Sequence, residues 1–270
     1  MNQDKRDVVL ACDHNVLNQA VVTVYSLVSN LTQPNLYRLT FVYFGDLDEA
    51  NVALTGVVPP DIELRVVPGL STYANTPTCS KLLTTPTFAR MELSKYVQAD
   101  CTRALWLDTD TVVVDDLGEL FTMPLTTPIA AVRARVAIED GKFVREMFNN
   151  GVMVVDMNTW KNADVEAKCF QRSVTNPRQC DIIMNIVLMR QCTYISSVFN
   201  YLQCNMRCPL HEFNRLTLDG RTDVRVVHYQ GGRKPWKYPR IPFAELWHMY
   251  AARHVDKNKQ AELLALATGR

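Results

Sequence analysis

Glycine is scarce in this chain, at 10 of 270 residues. None of the ten falls into G-x-G-x-x-G or G-x4-G-K-[ST], so the dinucleotide fingerprint and the P-loop are both missing. A surplus of either charge is missing too: 29 Lys+Arg stand against 28 Asp+Glu, a formal net charge of +1. That excludes non-specific nucleic-acid binding, which needs a basic surplus to displace counterions from phosphates. No segment approaches the roughly 18 uninterrupted apolar residues of a membrane span. The opening Met1-Asn-Gln-Asp-Lys-Arg-Asp7 is polar and has no apolar core of a signal peptide, so the sequence predicts no secretory signal and a cytoplasmic location. Internal repeats and linker-like composition are also absent.

Cysteine is not scarce. Eight residues (Cys12, Cys79, Cys101, Cys169, Cys180, Cys192, Cys204, Cys208) make an even number, as a disulfide framework would. A reducing cytosol and several placements inside apolar runs favour free thiols acting as small hydrophobes. Cys204-x3-Cys208-x2-His211 offers three metal ligands at loose spacing with no clear fourth, which tells against structural zinc.

At 47% hydrophobic and 21% charged residues, the chain has the composition of a folded protein with a sizeable core. Strand-like and helix-like runs alternate from the N-terminus. Strands are expected at Asp7 to Cys12, Leu39 to Phe44, Ile62 to Val67 and Arg103 to Asp108. Helices are expected at Asn18 to Asn30, from Asp46 to about Leu54, and at Thr84 to Tyr96. Later strands read at Ile129 to Val132, Val152 to Val155 and Val224 to Val227. Later helices read near Asp164 to Ser173, Asp181 to Arg190 and Phe243 to His254. Repeated βα units before residue 110 predict an α/β protein with an open, mostly parallel sheet, whose ligands sit off the carboxyl ends of the strands. Without a glycine-rich loop, something other than a helix N-terminus alone must neutralise bound phosphates.

Asp108-Thr-Asp110 follows the apolar Ala104-Leu-Trp-Leu107 and precedes Val112-Val-Val114. Two carboxylates one residue apart at a strand end can both face a cation while Thr109 turns away, and hard oxygen ligands suit Mg²⁺ or Mn²⁺. The plain alternative is a polar turn between strands. His228-Tyr-Gln-Gly231-Gly-Arg-Lys234-Pro-Trp236 follows another apolar run. Its glycines, Gly231 first, allow close backbone approach, and Lys234 offers a point charge for phosphate. An imidazole added to two carboxylates shifts preference toward Mn²⁺; read alone, a His after an apolar strand is more often a structural residue than a ligand.

Together with Phe148-Asn-Asn-Gly-Val-Met-Val154, Leu10-Ala-Cys-Asp13-His-Asn15 and Thr87-Phe-Ala-Arg90, these motifs resemble glycosyltransferase family 8, in the family's order across about residues 7 to 238. The resemblance implies a GT-A fold, a single Rossmann-like, mostly parallel sheet flanked by helices. It also implies transfer of a sugar from a UDP-sugar with retention at the anomeric carbon. By position, Ala11, Asp13 and Asn15 would hold uracil and ribose, Arg90 and Lys234 would contact the phosphates or donor, and Thr109 and Gly231 would complete the donor-binding segments. Asp108, Asp110 and His228 would bind Mn²⁺, with Mg²⁺ the other candidate. Asn150, Lys234 and Asp181 would stand at the reacting centre.

The sequence departs from the family pattern in two places. In Cys180-Asp-Ile-Ile-Met-Asn185, Cys180 takes the place of the usual acid and Asp181 that of the usual Gln. Ala134 stands where an acid usually follows the Ala130-Ala-Val strand. Asp181 is expected either to compensate at the reacting centre or to cap the helix that follows. No tyrosine lies between Leu202 and Val227, which tells against self-glucosylation of the kind the resemblance to glycogenin would suggest.

The remaining features read more simply. Trp106, Trp160 and Trp247 are expected in the core, and Trp236 either beside the acceptor or packed on the sheet edge. The Thr- and Pro-rich segment Thr72 to Thr85 reads as a loop that closes over bound donor or as a plain surface loop.

The chain divides into a GT-A domain over residues 1–242 and a C-terminal helical extension over 243–270, packed on the domain, in a homodimer interface or, last, at a membrane surface. The expected activity is transfer of galactose or glucose from a UDP-sugar donor to a glycan or glycoprotein acceptor, on a cytosolic protein or of lipopolysaccharide type. A catalytically degenerate UDP-sugar-binding scaffold is the rival from another class. A nicotinamide-dependent enzyme is disfavoured by the missing fingerprint.

Overall fold

The computed structural model describes residues 5–70, 72–73, 85–137, 143–175, 180–188, 190–202 and 223–254. Seven strands form a central sheet in the order β3-β2-β1-β4-β7-β6-β8. They are β1 (Arg6–Asp13), β2 (Tyr37–Phe44), β3 (Glu63–Pro68), β4 (Arg103–Leu107), β6 (Ile129–Ala137), β7 (Phe143–Asp156) and β8 (Cys192–Ile195). Only β7 runs against its neighbours; every other pairing in this sheet is parallel. Beside it lies a small sheet that sequence reading did not include, β5-β10-β9, built from β5 (Thr111–Val113), β9 (Tyr201–Leu202) and β10 (Val226–His228).

The apolar runs read as strands are buried on both faces, and their alternation divides them between two cores. Val8, Leu10 and Cys12 face α1 (Leu17–Ser29), α2 (Leu47–Leu54), the small sheet and the helix over residues 244–254. Val9, Ala11, Trp106, Met153 and Val155 face the opposite layer, which holds a 3-10 helix (Thr85–Lys95), α4 (Met157–Asn162), α5 (Val165–Thr175) and α6 (Cys180–Val187). A four-residue helix, α3 (Glu119–Thr122), follows β5. Trp106 and Trp160 are fully buried, as expected, and Trp247 is partly buried against the first core.

Local chemistry explains most boundaries. Asp46 caps α2 by accepting the backbone N–H of Asp48 at 3.0 Å. The expected helix over Thr84 to Tyr96 is wound as 3-10 and breaks at Glu92 (φ −128°, ψ 32°). Glu92 is buried, and its carboxylate is drawn to the N–H and hydroxyl of Thr72 and to Lys95, so its backbone leaves the helical region. The expected short strands at Ile129 and Val152 prove to be parts of long, antiparallel β6 and β7. Between Ala131 and Val132 their register jumps from Met153 to Asn149, so residues 150–152 of β7 have no partner on β6. This bulge lies at the carboxyl end of β4, where a re-aimed backbone has most consequence.

Residues 244–254 form the expected helix near the C-terminus, after Phe243 at φ +60°. It packs on α1 through Tyr250, whose ring meets Tyr25 edge-on and whose hydroxyl accepts from Asn30 at 2.8 Å. The Cys204–His211 cluster, residues 74–84 and residues 255–270 lie outside the described residues. Cys12, Cys101, Cys169 and Cys180 are free and buried, and Cys192 is free and half-buried.

The register of β1 on β2 is locked at its first pairs by a buried ion pair. Arg38 donates to both carboxylate oxygens of Asp7 at 3.0 and 2.7 Å, and to Asp100 at 2.8 Å. Burial pushes the Asp7 carboxyl up from its ordinary value, with Arg38 opposing it. Removing Arg38 strands that carboxyl in the core. Arg38→Leu should therefore lower the unfolding free energy by about 3–5 kcal/mol in urea titrations, and Asp7→Asn in the same chain should restore part of the loss.

Candidate active site

Strand order reverses at β1, which has β2 on one side and β4 on the other, and the crevice between two such strand ends is where open α/β sheets bind ligands. Asp13 ends β1 there. It is buried, and its carboxylate accepts the N–H of Asn15 at 3.0 Å to start a 3-10 turn. Ala11 lies two residues back with its side chain buried, and Asn15 is exposed in the middle of the turn.

Asp108 and Asp110 occupy the crossing from β4 in the large sheet to β5 in the small one. The turn is pinned at every residue: Asp108 N–H donates to Gly151 at 2.7 Å, and Thr111 hydroxyl to Asp108 carbonyl at 2.7 Å. The Thr23 hydroxyl of α1 donates to the carbonyls of Thr109 and Thr111 at 3.0 and 2.8 Å. Antiparallel pairing of β10 with β5 sets His228 opposite Thr111, and Tyr229 N–H closes the join onto Asp110 carbonyl at 2.9 Å. Side-chain donor atoms of Asp108, Asp110 and His228 thus lie within 4.8 Å of one another.

Gly151 makes that gathering possible. A Cβ there would stand 2.2 Å from Cε1 of His228 and 2.9 Å from an Asp108 carboxylate oxygen, well inside contact distance. The side chains of His228 and Asp108 pack on the bare backbone of the β7 bulge.

Each carboxylate already has a cationic partner. Arg90 donates to Asp108 at 2.7 and 3.2 Å and stacks 5.0 Å over the Trp106 ring, whose Nε1 also donates to Asp108, at 2.8 Å. The other Arg90 hydrogen bonds go to Thr87 and to Asn150, so the guanidinium is buried and fully engaged. Asp110 takes Lys234 Nζ on one oxygen and His228 Nε2 at 3.2 Å on the other. Burial works against its charge, yet these two groups hold the Asp110 carboxyl well below the usual carboxylate range. Lys234 also donates to Tyr229 carbonyl at 2.7 Å, across a turn that needs the left-handed φ of +83° at Gly231.

Of the residues singled out from sequence, Asp108, Thr109, Asp110, His228, Arg90 and Lys234 come together here, with Asp13 ending the neighbouring strand. Arg90, expected on the phosphates or donor, directs its donors at Asp108, Thr87 and Asn150 in this structure. Asn150 faces the α6 layer, accepting from Arg90 at 3.1 Å and donating to Met184 sulfur at 3.5 Å. Cys180 is buried with its sulfur 3.2 Å from the Thr87 hydroxyl, and burial pushes its thiol up. Asp181 lies in the first turn of α6 and accepts the N–H of the next residue, Ile182, at 2.8 Å; burial raises its carboxyl while Arg90 pulls the other way. Trp236 packs on Trp247, with ring centroids 5.5 Å apart.

Sequence reasoning passed over Asn149 and Asn200, both buried. Asn200 bonds His228 Nδ1 at 2.9 Å and donates to Asn149 Oδ1 at 2.8 Å. Asn149 carried a signal, as the neighbour of Asn150 in the Asn-Asn-Gly run. Asn200, between Phe199 and Tyr201, carried none.

The residues fit a divalent cation on their own chemistry. Two hard carboxylates and an imidazole nitrogen converge on one point, and the glycine beneath leaves room that any side chain would fill. Gly151→Ala should abolish Mn²⁺ uptake measured by calorimetry, and the forced contact should lower stability by about 1–3 kcal/mol.

A family model described as Glycosyl transferase family 8 matches residues 7–239. Glycosyltransferase GlyA of Streptococcus pneumoniae is 24% identical over 257 residues, 92% of this chain and 35% of GlyA. The lipopolysaccharide 1,2-glucosyltransferase of Escherichia coli is 20% identical over 188 residues, 62% of this chain and 55% of that protein. The chain thus spans about a third of GlyA, and 24% of the probable glycosyl transferase Gly of Streptococcus gordonii. Among solved structures, the galactosyltransferase LgtC in complex with donor and acceptor sugar analogues superposes with a TM-score of 0.74 at 22% identity, over 92% of this chain and 95% of LgtC.

Proposed function

The chain belongs to glycosyl transferase family 8 and has a GT-A fold, and on that premise we propose that it transfers a hexose, galactose or glucose, from a UDP-sugar to a sugar hydroxyl of a glycan, with retention. The observation that carries this reading is the convergence of Asp108, Asp110 and His228 at the strand end beside Asp13.

Asp108, Asp110 and Nε2 of His228 would hold Mn²⁺, or Mg²⁺, which supplies neutralisation of the charge that the leaving UDP develops on its β-phosphate. Lys234, anchored on Asp110 and Tyr229 carbonyl, brings an ammonium group to the same place. Arg90 holds Asp108 in one orientation, and Asn150 steadies Arg90 from behind. Ala11, Asp13 and Asn15, at the end of β1, would receive the nucleoside, and Gly231 lets the β10 loop approach the donor. Interactions that strengthen as charge develops favour the transition state over the bound substrate, which is what raises the rate.

Asp181 would face the donor sugar with the carboxylate oxygen not engaged by Ile182. Free cysteines in the described residues support a cytosolic setting, where the acceptor would be a glycan on a protein. No helix among the described residues is long and apolar enough to cross a membrane. The name of the Escherichia coli relative favours a lipopolysaccharide-type acceptor as the second reading.

A panel of UDP-galactose, UDP-glucose, UDP-N-acetylglucosamine and UDP-xylose, with and without Mn²⁺, tests the function through UDP release. Metal-dependent hydrolysis of one donor is expected, and Asp110→Asn should reduce it about 100-fold or more while leaving the fold intact. Mn²⁺-dependent UDP binding without release from any donor would point to a binding scaffold, and no UDP binding at all would overturn the reading. Asp181→Asn and Asp181→Ala should both slow turnover more than they weaken UDP binding; unchanged turnover in both would leave Asp181 a helix cap.

A further inference from the structure

The hydrogen bonds behind His228 run in one direction only. Gly151 N–H donates to Asn149 Oδ1 at 2.9 Å. A backbone N–H cannot reverse its role, so Asn149 must turn its carbonyl oxygen toward it. That same oxygen takes the donor from Asn200 Nδ2 at 2.8 Å, which leaves Asn200 presenting its own carbonyl oxygen to His228 Nδ1, 2.9 Å away. In the neutral ring the proton then sits on Nδ1, and Nε2 keeps its lone pair. Nε2 is the nitrogen that faces Asp110 at 3.2 Å; when it too carries a proton it donates to that carboxylate, and a bound cation takes that proton's place. Asn149, Asn200 and His228 are all buried, so water does not compete for these bonds.

We infer that Asn200 is a positioning residue: acting through Asn149 on the backbone of Gly151, it selects the His228 tautomer whose Nε2 can donate to a divalent cation held with Asp108 and Asp110. The inference rests on the metal-dependent reading above and adds to it the group that sets His228's readiness to bind. Partners of this kind fix the ring orientation and tautomer of a ligating histidine and raise its basicity. The site is then pre-formed: the tautomer is chosen by the fold before any cation arrives.

Two measurements test it. The first needs no variant. In two-bond ¹H–¹⁵N spectra of the ¹⁵N-labelled, metal-free protein at alkaline pH, the His228 resonances, assigned by their loss in His228→Gln, should show the Nδ1–H tautomer. An Nε2–H tautomer overturns the inference. The second is Mn²⁺ titration by calorimetry and electron paramagnetic resonance, with folding checked by circular dichroism. Asn200→Leu, which fills the space but offers no acceptor, should raise the Mn²⁺ dissociation constant about 10–100-fold.

Asn200→Asp keeps an acceptor toward Nδ1 and should bind Mn²⁺ more tightly than Asn200→Leu. A mere packing role predicts the opposite order, because leucine suits a buried site and a carboxylate does not. Parent-like affinity in a folded Asn200→Leu, or affinity in Asn200→Asp below that of Asn200→Leu, overturns the inference and leaves the proposed function standing. A parent protein that takes up no Mn²⁺ overturns the proposed function together with the affinity part of the inference.

Discussion

The missing side chain of Gly151 is the constraint around which the site is built. At this residue β7 bulges away from β6, its carbonyl accepts Asp108, its N–H orients Asn149, and the space where a Cβ would stand is filled by His228 and Asp108. Two sheets meet there. Asp108 arrives from the large one, His228 from the small one, and both lie within van der Waals reach of the same bare backbone. A polar cluster this dense requires a support with no volume of its own.

The second requirement is electrostatic. Two carboxylates held near one another repel, and partial burial strengthens the repulsion. The chain meets this with one basic residue for each: Arg90 on Asp108 from the 3-10 helix, Lys234 on Asp110 from the loop after β10. The two pairs differ in character. Arg90 is buried, stacked on Trp106 and engaged at every donor, whereas Lys234 is a flexible ammonium about a fifth exposed. Asp108 is thereby kept in one orientation, and Asp110 is left with the partner better able to move when another charged group enters.

The 3-10 helix that carries Arg90 is tied to its surroundings on several sides. Glu166 of α5 accepts from the N–H and hydroxyl of Ser94 at 2.8 and 2.6 Å and from Trp160 at 3.0 Å, while buried Glu92 binds Thr72 and Lys95. These contacts join the α4–α5 layer to the element supporting Asp108. Packing in the second core therefore bears on the crevice, most directly through Trp106, which holds Asp108 and lies under Arg90.

The sequence by itself determined the strands and helices whose hydrophobic periodicity is strong: β1, β2, β3, β4, α1, α2 and the helix after Phe243, with boundaries off by one or two residues. It also marked Asp108, Asp110, His228 and Lys234, because residue type and spacing at the ends of apolar runs limit what such groups can do. It did not show β6 and β7 at full length, since Arg133, Arg135, Arg145 and Glu146 interrupt their apolar runs. Nor did it show the three-stranded sheet, whose strands are two or three residues long and pair with chain up to 117 residues away, His228 with Thr111. The partners were decided by tertiary structure alone. Arg90 pairs with Asp108 because the 3-10 helix packs against β1 and β2 with Arg90 over Trp106, Asn150 meets Arg90 and Met184 because the strand alternates, and Asn200 reaches His228 because β9 lies beside β10. Periodicity reports which face of an element is buried; which polar groups meet across a sheet depends on register, and register is set by the whole core at once.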